Sequence, residues 1–220
     1  MISDRVLLDI ESQQDFFSPS GALYRPQFSS VAKKVARLFS WARLNDIPVI
    51  STVLRLRPGE RGPLSSKPYC VDDTEGEQKL AKTVLARRIN LGLLNTTDLP
   101  DHIFQRYQQV IFEKRKADIF AHARAERLIT ELPLCTFVLC GAGVSAGIVQ
   151  AAVGLRSRGF PVILASDAAL AVSPEMASMA HLRMEAKGVL YATTTSIVAP
   201  VAKPRRLSFR SAPKLERQAF

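Results

Sequence analysis

Short, continuous apolar runs recur along the chain, each followed by a stretch of helical or loop character, and this alternation restricts the fold more than any other feature. The runs are RVLLDI (5–10), IPVISTVL (47–54), QVIFEK (109–114), CTFVLCGAG (135–143), FPVILASDAA (160–169) and GVLYATTTSIV (188–198). Between them, residues 29–46 repeat apolar side chains at helical spacing (Val31, Val35, Leu38, Phe39, Ala42), 118–132 read as an amphipathic helix, 145–158 as a helix of small residues and 174–187 as a further helix. Residues 55–73 read as a loop punctuated by Pro58, Gly59, Gly62, Pro63 and Pro68. The signal is weakest over 74–108, where NTTDLP suggests a turn or helix start near Thr97 or Asp98, with helix from Pro100. Strands that are apolar on both faces belong inside a parallel sheet covered by helices. The expected fold is therefore α/β, a three-layer α/β/α sandwich around a central, mostly parallel, Rossmann-like sheet.

The 220 residues suit one such domain, expected over 1–202, with a basic, disordered tail at 203–220. The formal net charge is +10, and the tail carries half: Lys203, Arg205, Arg206, Arg210, Lys214 and Arg217 against Glu216 give +5. Such a tail can attract nucleic acid, although a solvated extension is the simpler reading. No apolar run approaches the ~20 residues of a membrane span. The chain opens directly into a strand-like run, so no signal peptide, no membrane and a cytoplasmic location are expected. Cys70, Cys135 and Cys140 form no disulfide framework, and His102, His122 and His181 form no metal-ligand spacing. Neither a metal nor a cofactor is expected.

In a parallel sheet, sites form beyond the carboxyl ends of the strands. Asp9, Lys114 and the turn Gly141–Gly147 all fall there. An acid at a strand end, flanked by Leu8 and Ile10, is a candidate proton donor or acceptor; a loop cap is the alternative. A lysine there can orient a carboxylate or bind an anionic substrate, or can simply be surface charge. The segment CGAGVSAGIVQAA has glycines where the backbone needs unusual angles, and its amides, at a helix start, would suit an anion or a developing oxyanion. No GK[ST] follows, and the spacing is wrong for a dinucleotide fingerprint.

These segments resemble the isochorismatase-like (cysteine hydrolase) family over roughly residues 5–200: VLLDIESQQDFF, YCVDDTEGEQK, FEKRKADIF and CGAGVSAGIVQAAVGLRSRGFPVILASDAA occur in the family's order. The resemblance implies an Asp–Lys–Cys triad. Asp9 and Lys114 carry over, but the nucleophile position falls on Gly147, and Cys140 precedes the turn and does not replace it. It also implies substrate contacts from Gln13, Phe16, Ala142, Gly143 and Val144, and a cis peptide near Ala142–Gly143. Aligned on Asp9, the chain has two extra residues before the Gln–Asp–Phe cluster, leaving the roles of Glu11, Gln13 and Asp15 open. Tyr69 stands where metal-binding relatives carry a histidine, and VLRLRP replaces the segment with the other ligands. Glycine at the nucleophile position also occurs in isochorismatases proper, which protonate a vinyl ether and need no thiol. The resemblance thus implies a hydrolase acting through Asp9 and Lys114 on a small anionic enol ether, with Arg55, Arg57, Arg87 and Arg88 as candidate carboxylate binders. The alternative is a non-catalytic relative serving as a ligand-binding or assembly module. In either case homo-oligomers are expected.

Overall fold

A computed structural model describes residues 4–199. Its middle layer is built from β1 (Arg5–Ile10), β2 (Val49–Leu54), β3 (Arg88–Asn90), β4 (Gln109–Lys114), β5 (Thr136–Ala142), β6 (Val162–Leu170) and β7 (Leu190–Ala192), in the order β3-β4-β2-β1-β5-β6-β7. Every pairing is parallel. The apolar runs explain why: β1, β2 and β5 lie in the interior of the sheet, and their side chains are buried on both faces.

The helices are α1 (Gln14–Phe17), α2 (Phe28–Leu44), α3 (Ile103–Arg106), α4 (Ala123–Thr130), α5 (Val149–Ser157), α6 (Pro174–Ala186) and α7 (Thr194–Val198). One layer packs Val35, Leu38, Phe39 and Ala42 of α2, with Ile197 of α7, onto Leu7, Val49 and Val138. The other packs Leu128 and Ile129 of α4, Ala152 and Leu155 of α5 and Met184 of α6 onto Val6, Leu8, Phe112 and Phe137. The sandwich expected from the sequence is the observed fold.

Three local expectations need correction. The run 188–198 holds only the short strand β7, because Thr193 then caps α7 by accepting from the Ser196 amide, and Asp167 accepts from the amide and hydroxyl of Thr194. These side-chain bonds override the β-branched composition. The 118–132 helix begins late: a 3₁₀ turn at Ile119–Ala121 precedes α4, with the Asp118 carboxylate accepting from the Phe120 amide. Over 74–108 the chain forms β3, which was not expected, and the helix after Pro100 is confined to α3. Residues 203–220, read as a basic tail, lie outside the described residues. Among those described, no helix is long and apolar enough to cross a membrane.

Candidate active site

Side chains alternate along a strand, and in β1 this rule decides what each acid can reach. Val6, Leu8 and Ile10 face the α4–α5–α6 layer, whereas Leu7 faces α2, and Asp9 shares its side. In β4, Val110 and Phe112 face the α4–α5–α6 layer, and Lys114 follows them. Asp9 and Lys114 therefore stand on opposite faces of the sheet. The expected pairing between them is corrected by the structure: Lys114 pairs with Glu11.

Glu11 follows the last residue of β1 and adopts φ 53°, a left-handed conformation unusual for a side-chain-bearing residue. Its amide donates to the Thr52 carbonyl at 3.2 Å. The turn carries the Glu11 carboxylate to the face that Lys114 occupies. The Lys114 ammonium also donates to the carbonyls of Lys116 (3.0 Å) and Ala117 (2.9 Å), so each of its three hydrogens has an acceptor. Both side chains are buried, at 3% exposure for Lys114 and 1% for Glu11. The apparent insertion in the first motif thus has a simple origin: the acid that meets the lysine comes two residues after Asp9.

Asp9 forms a second buried ion pair. Its Oδ2 accepts from Lys79 Nζ at 2.5 Å and from the hydroxyls of Ser12 and Ser51, each at 3.0 Å. Gln109 extends the network by donating to Ser51 Oγ at 2.9 Å. The sequence reading missed Lys79, although it lies in one of the quoted motifs; nothing in its local pattern distinguishes it from a surface lysine.

The glycine turn is built as its composition suggests. Gly141 (φ 118°) lies against the Ile10 carbonyl where no β-carbon would fit, and Gly143 (φ 79°) begins the helical segment. These two positive φ angles reverse the chain with trans peptides, which corrects the expected cis bond near Ala142–Gly143. The amide of Gly143 donates to the Leu170 carbonyl at 3.0 Å and is not open to a ligand. Ala142 and Val144 are buried on either side of it.

At Gly147, a β-carbon would lie 2.8 Å from Ile10 Cγ2, 3.0 Å from Glu11 Oε1 and 3.4 Å from the Ala117 carbonyl. A glutamate is one methylene longer than an aspartate, and its carboxylate reaches into the space a thiol side chain would need. Gly147→Cys is therefore expected to cost about 1–3 kcal/mol through overpacking. Glu11→Asp should relieve part of that cost, so the double variant should be more stable than the two single effects summed. Simple additivity in a denaturation cycle would show that the two positions do not share this space.

The other expected contacts are engaged in packing. Both ends of the Gln13 amide bond backbone: Nε2 donates to the carbonyls of Leu54 (2.8 Å) and Glu77 (2.7 Å), and Oε1 accepts from the Leu54 amide (2.9 Å). Phe16 is buried edge-on against Tyr69, with ring centroids 5.7 Å apart. Asp15 accepts from the amides of Ala22 and Cys70. Burial pushes the thiols of Cys70 and Cys140 well above their usual range, and that of Cys135 up to about 11. Of the four arginines, Arg57 is exposed, Arg87 and Arg88 donate to the carbonyls of Gln105 and Leu85, and none makes a guanidinium bond to the Glu11 or Lys114 side chain; Arg55 meets Lys114 only through the backbone, its amide donating to the Lys114 carbonyl at 2.9 Å. Arg55 sits among Asp72, Glu77 and Glu113 at 2.8–3.0 Å.

The family profile described as the isochorismatase domain matches residues 5–196. The chain belongs to the isochorismatase family. A sequence search of curated proteins finds no match. Among solved structures, this isochorismatase-family chain is similar to PnC1 from L. infantum in complex with nicotinate (TM-score 0.65, 18% identity, 89% of this chain and 96% of that one). It is also similar to the pyrazinamidase of Pyrococcus horikoshii in complex with zinc (TM-score 0.65, 19% identity, 87% and 99%) and to the MAR1 ribonuclease from Caenorhabditis elegans (TM-score 0.59, 17% identity, 88% and 79%). At these identities the likeness shows the fold, which carries more than one chemistry.

The zinc of the Pyrococcus relative raises the question of a metal in this family member. Its residues do not fit one. The Arg55 guanidinium already provides a positive charge among Asp72, Glu77 and Glu113, where a cation would otherwise be drawn. Hydrogen bonding to Glu113 and the charges of Glu77 and Glu113 outweigh burial and hold Arg55 firmly protonated. Among the described residues no three His, Cys, Asp or Glu side chains come together to hold an ion.

Proposed function

We propose that this isochorismatase-family chain is a hydrolase that works by acid–base chemistry without a cysteine nucleophile, with Glu11 moving the proton and Lys114 holding it in place. The observation that carries this reading is the buried Glu11–Lys114 pair at the carboxyl edge of the sheet, set against Gly147, where even a β-carbon would crowd Ile10 and Glu11. In the reaction, Glu11 gives a proton to a substrate carbon or oxygen, or takes one from an attacking water. Lys114 stabilises the carboxylate in the charged half of the cycle, and its two carbonyl bonds prevent it from swinging away. The role first assigned to Asp9 passes to Glu11, because Glu11 is the acid that faces Lys114. An anionic enol ether remains the first substrate to try. Assembly into homo-oligomers belongs to the same proposal.

A second reading has an observation of its own in support. Glu11 and Lys114 are almost entirely shielded from solvent, as they would be in a family member that keeps the fold as a binding or assembly module. An assay of isochorismate together with a panel of small enol ethers, esters and amides separates the two. Turnover that persists after full treatment with iodoacetamide is expected, because no thiol is available for the chemistry and burial disfavours all three thiolates. Turnover abolished both by alkylation and by Cys70→Ala would overturn the acid–base reading, and a wild type inert toward the whole panel would favour the non-catalytic one.

A further inference from the structure

The shielding of Glu11 has a specific cause. Residues 57–69 leave the body of the protein and return to it across a narrow stem: the Leu56 amide donates to the Cys70 carbonyl and the Asp72 amide to the Leu56 carbonyl, both at 2.8 Å. Outside this stem, Arg55 and Arg115 clamp the two Asp72 carboxylate oxygens at 2.9 and 2.5 Å. Inside it, the excursion is held by few bonds. The Leu64 amide donates to Tyr69 Oη at 3.1 Å, and Glu60 closes a local turn on Arg57. Tyr69 is buried beneath the segment, its hydroxyl against Gly62.

Leu64 is the point where this excursion meets the site. It is 9% exposed. Its Cδ1 lies 3.2 Å from where a β-carbon of Gly143 would stand, and Glu11 Oε2 lies 3.7 Å from the same point. A leucine side chain thus rests on the glycine turn beside the carboxylate, where a ligand presented to Glu11 would lie. Its amide donates to the Tyr69 hydroxyl and to no strand, so it can leave without disturbing the sheet.

We propose that Leu64 is the specificity-determining plug of this site: it holds the place of an apolar portion of the substrate, and residues 57–68 lift as a flap off the buried Tyr69, about the stem at Leu56 and Asp72, to admit it. The proposal rests on Glu11 and Lys114 being the reacting pair. It implies a substrate with an apolar group of about a leucine side chain's size next to the bond that reacts. The stem, clamped by two arginines, stays closed while the flap moves, which is the behaviour expected of a segment with few hydrogen bonds hinged on a rigid scaffold.

The thiols report on this motion without a known substrate. Cys70 and Cys140 are both buried in the apolar cluster that holds Leu64 and Tyr69, but Cys70 lies at the root of the flap and Cys140 on the central strand β5. In the intact protein, iodoacetamide labelling followed by peptide mass spectrometry should modify Cys70 faster than Cys140. Leu64→Ala should speed Cys70 labelling by roughly tenfold or more, since the plug's buried area is lost, and should leave Cys140 unchanged. Leu64→Met, which refills the space, should restore slow labelling. Equal rates at the two cysteines in the wild type, an unchanged Cys70 rate in Leu64→Ala, or acceleration of both cysteines together would overturn the proposal. These outcomes are independent of turnover, so a failed flap leaves the acid–base reading standing, and a failed acid–base assay leaves the flap measurement intact.

Discussion

Glu11→Gln is expected to lower turnover by about 10²–10⁴-fold, the usual contribution of a positioned acid or base. The amide keeps the length and shape of the side chain and can still accept a hydrogen bond from Lys114, but it cannot carry the proton. Glu11→Asp retains the acid and moves it back by one methylene, so it should fall between the wild type and the glutamine variant. Asp9→Asn is the informative control. Asp9 lies on the α2 face and pairs with Lys79, so turnover per folded molecule should change only a few-fold. A reversed ranking, with Asp9→Asn inactive and Glu11→Gln active, would return the chemistry to Asp9.

Lys79→Met should give the largest loss of stability. The Asp9–Lys79 pair is buried on both sides, at 0% exposure for Asp9 and 5% for Lys79. Removing one partner leaves a carboxylate uncompensated in the interior, which typically costs about 3–5 kcal/mol. For a domain of this size each kcal/mol lowers the melting temperature by roughly 2–4 °C. Asp9→Leu combined with Lys79→Met removes both charges and should recover much of the loss, less whatever the Ser51 hydroxyl forfeits as a donor without an acceptor, since Ser12 can still donate to Thr83 Oγ1. A Lys79→Met protein that melts within about 2 °C of the wild type would show that water reaches the pair.

The layers of the fold were legible because β1, β2, β4, β5 and β6 are uninterrupted apolar runs, and such runs have one stable arrangement. β3 was not legible: Arg88–Asn90 has an edge position, one apolar residue and no periodicity. At the site, Lys114 and the glycine turn were found because strand ends and glycine spacing are local signals. The acid that pairs with Lys114 lies two residues beyond the one expected, because the family's aspartate invites alignment with the only aspartate in the strand. What decides the matter is the left-handed turn at Glu11, a backbone state that its sequence does not announce. The count of residues to Asp15 was the available clue, and it was read as an insertion.

The strand order also governs how the molecule is made. β1 is synthesised before both of its neighbours, pairing with β2 on one side and with β5, which begins at Thr136, on the other. Until β5 has been synthesised, one edge of this buried strand stays open, and Glu11, Lys114 and Gly147 cannot meet. Contacts this distant in sequence slow folding and leave intermediates prone to aggregate. Newly made chains should therefore depend on protection of the β1 edge until most of the domain has been translated, and a truncation before Thr136 should yield insoluble material rather than a smaller folded unit.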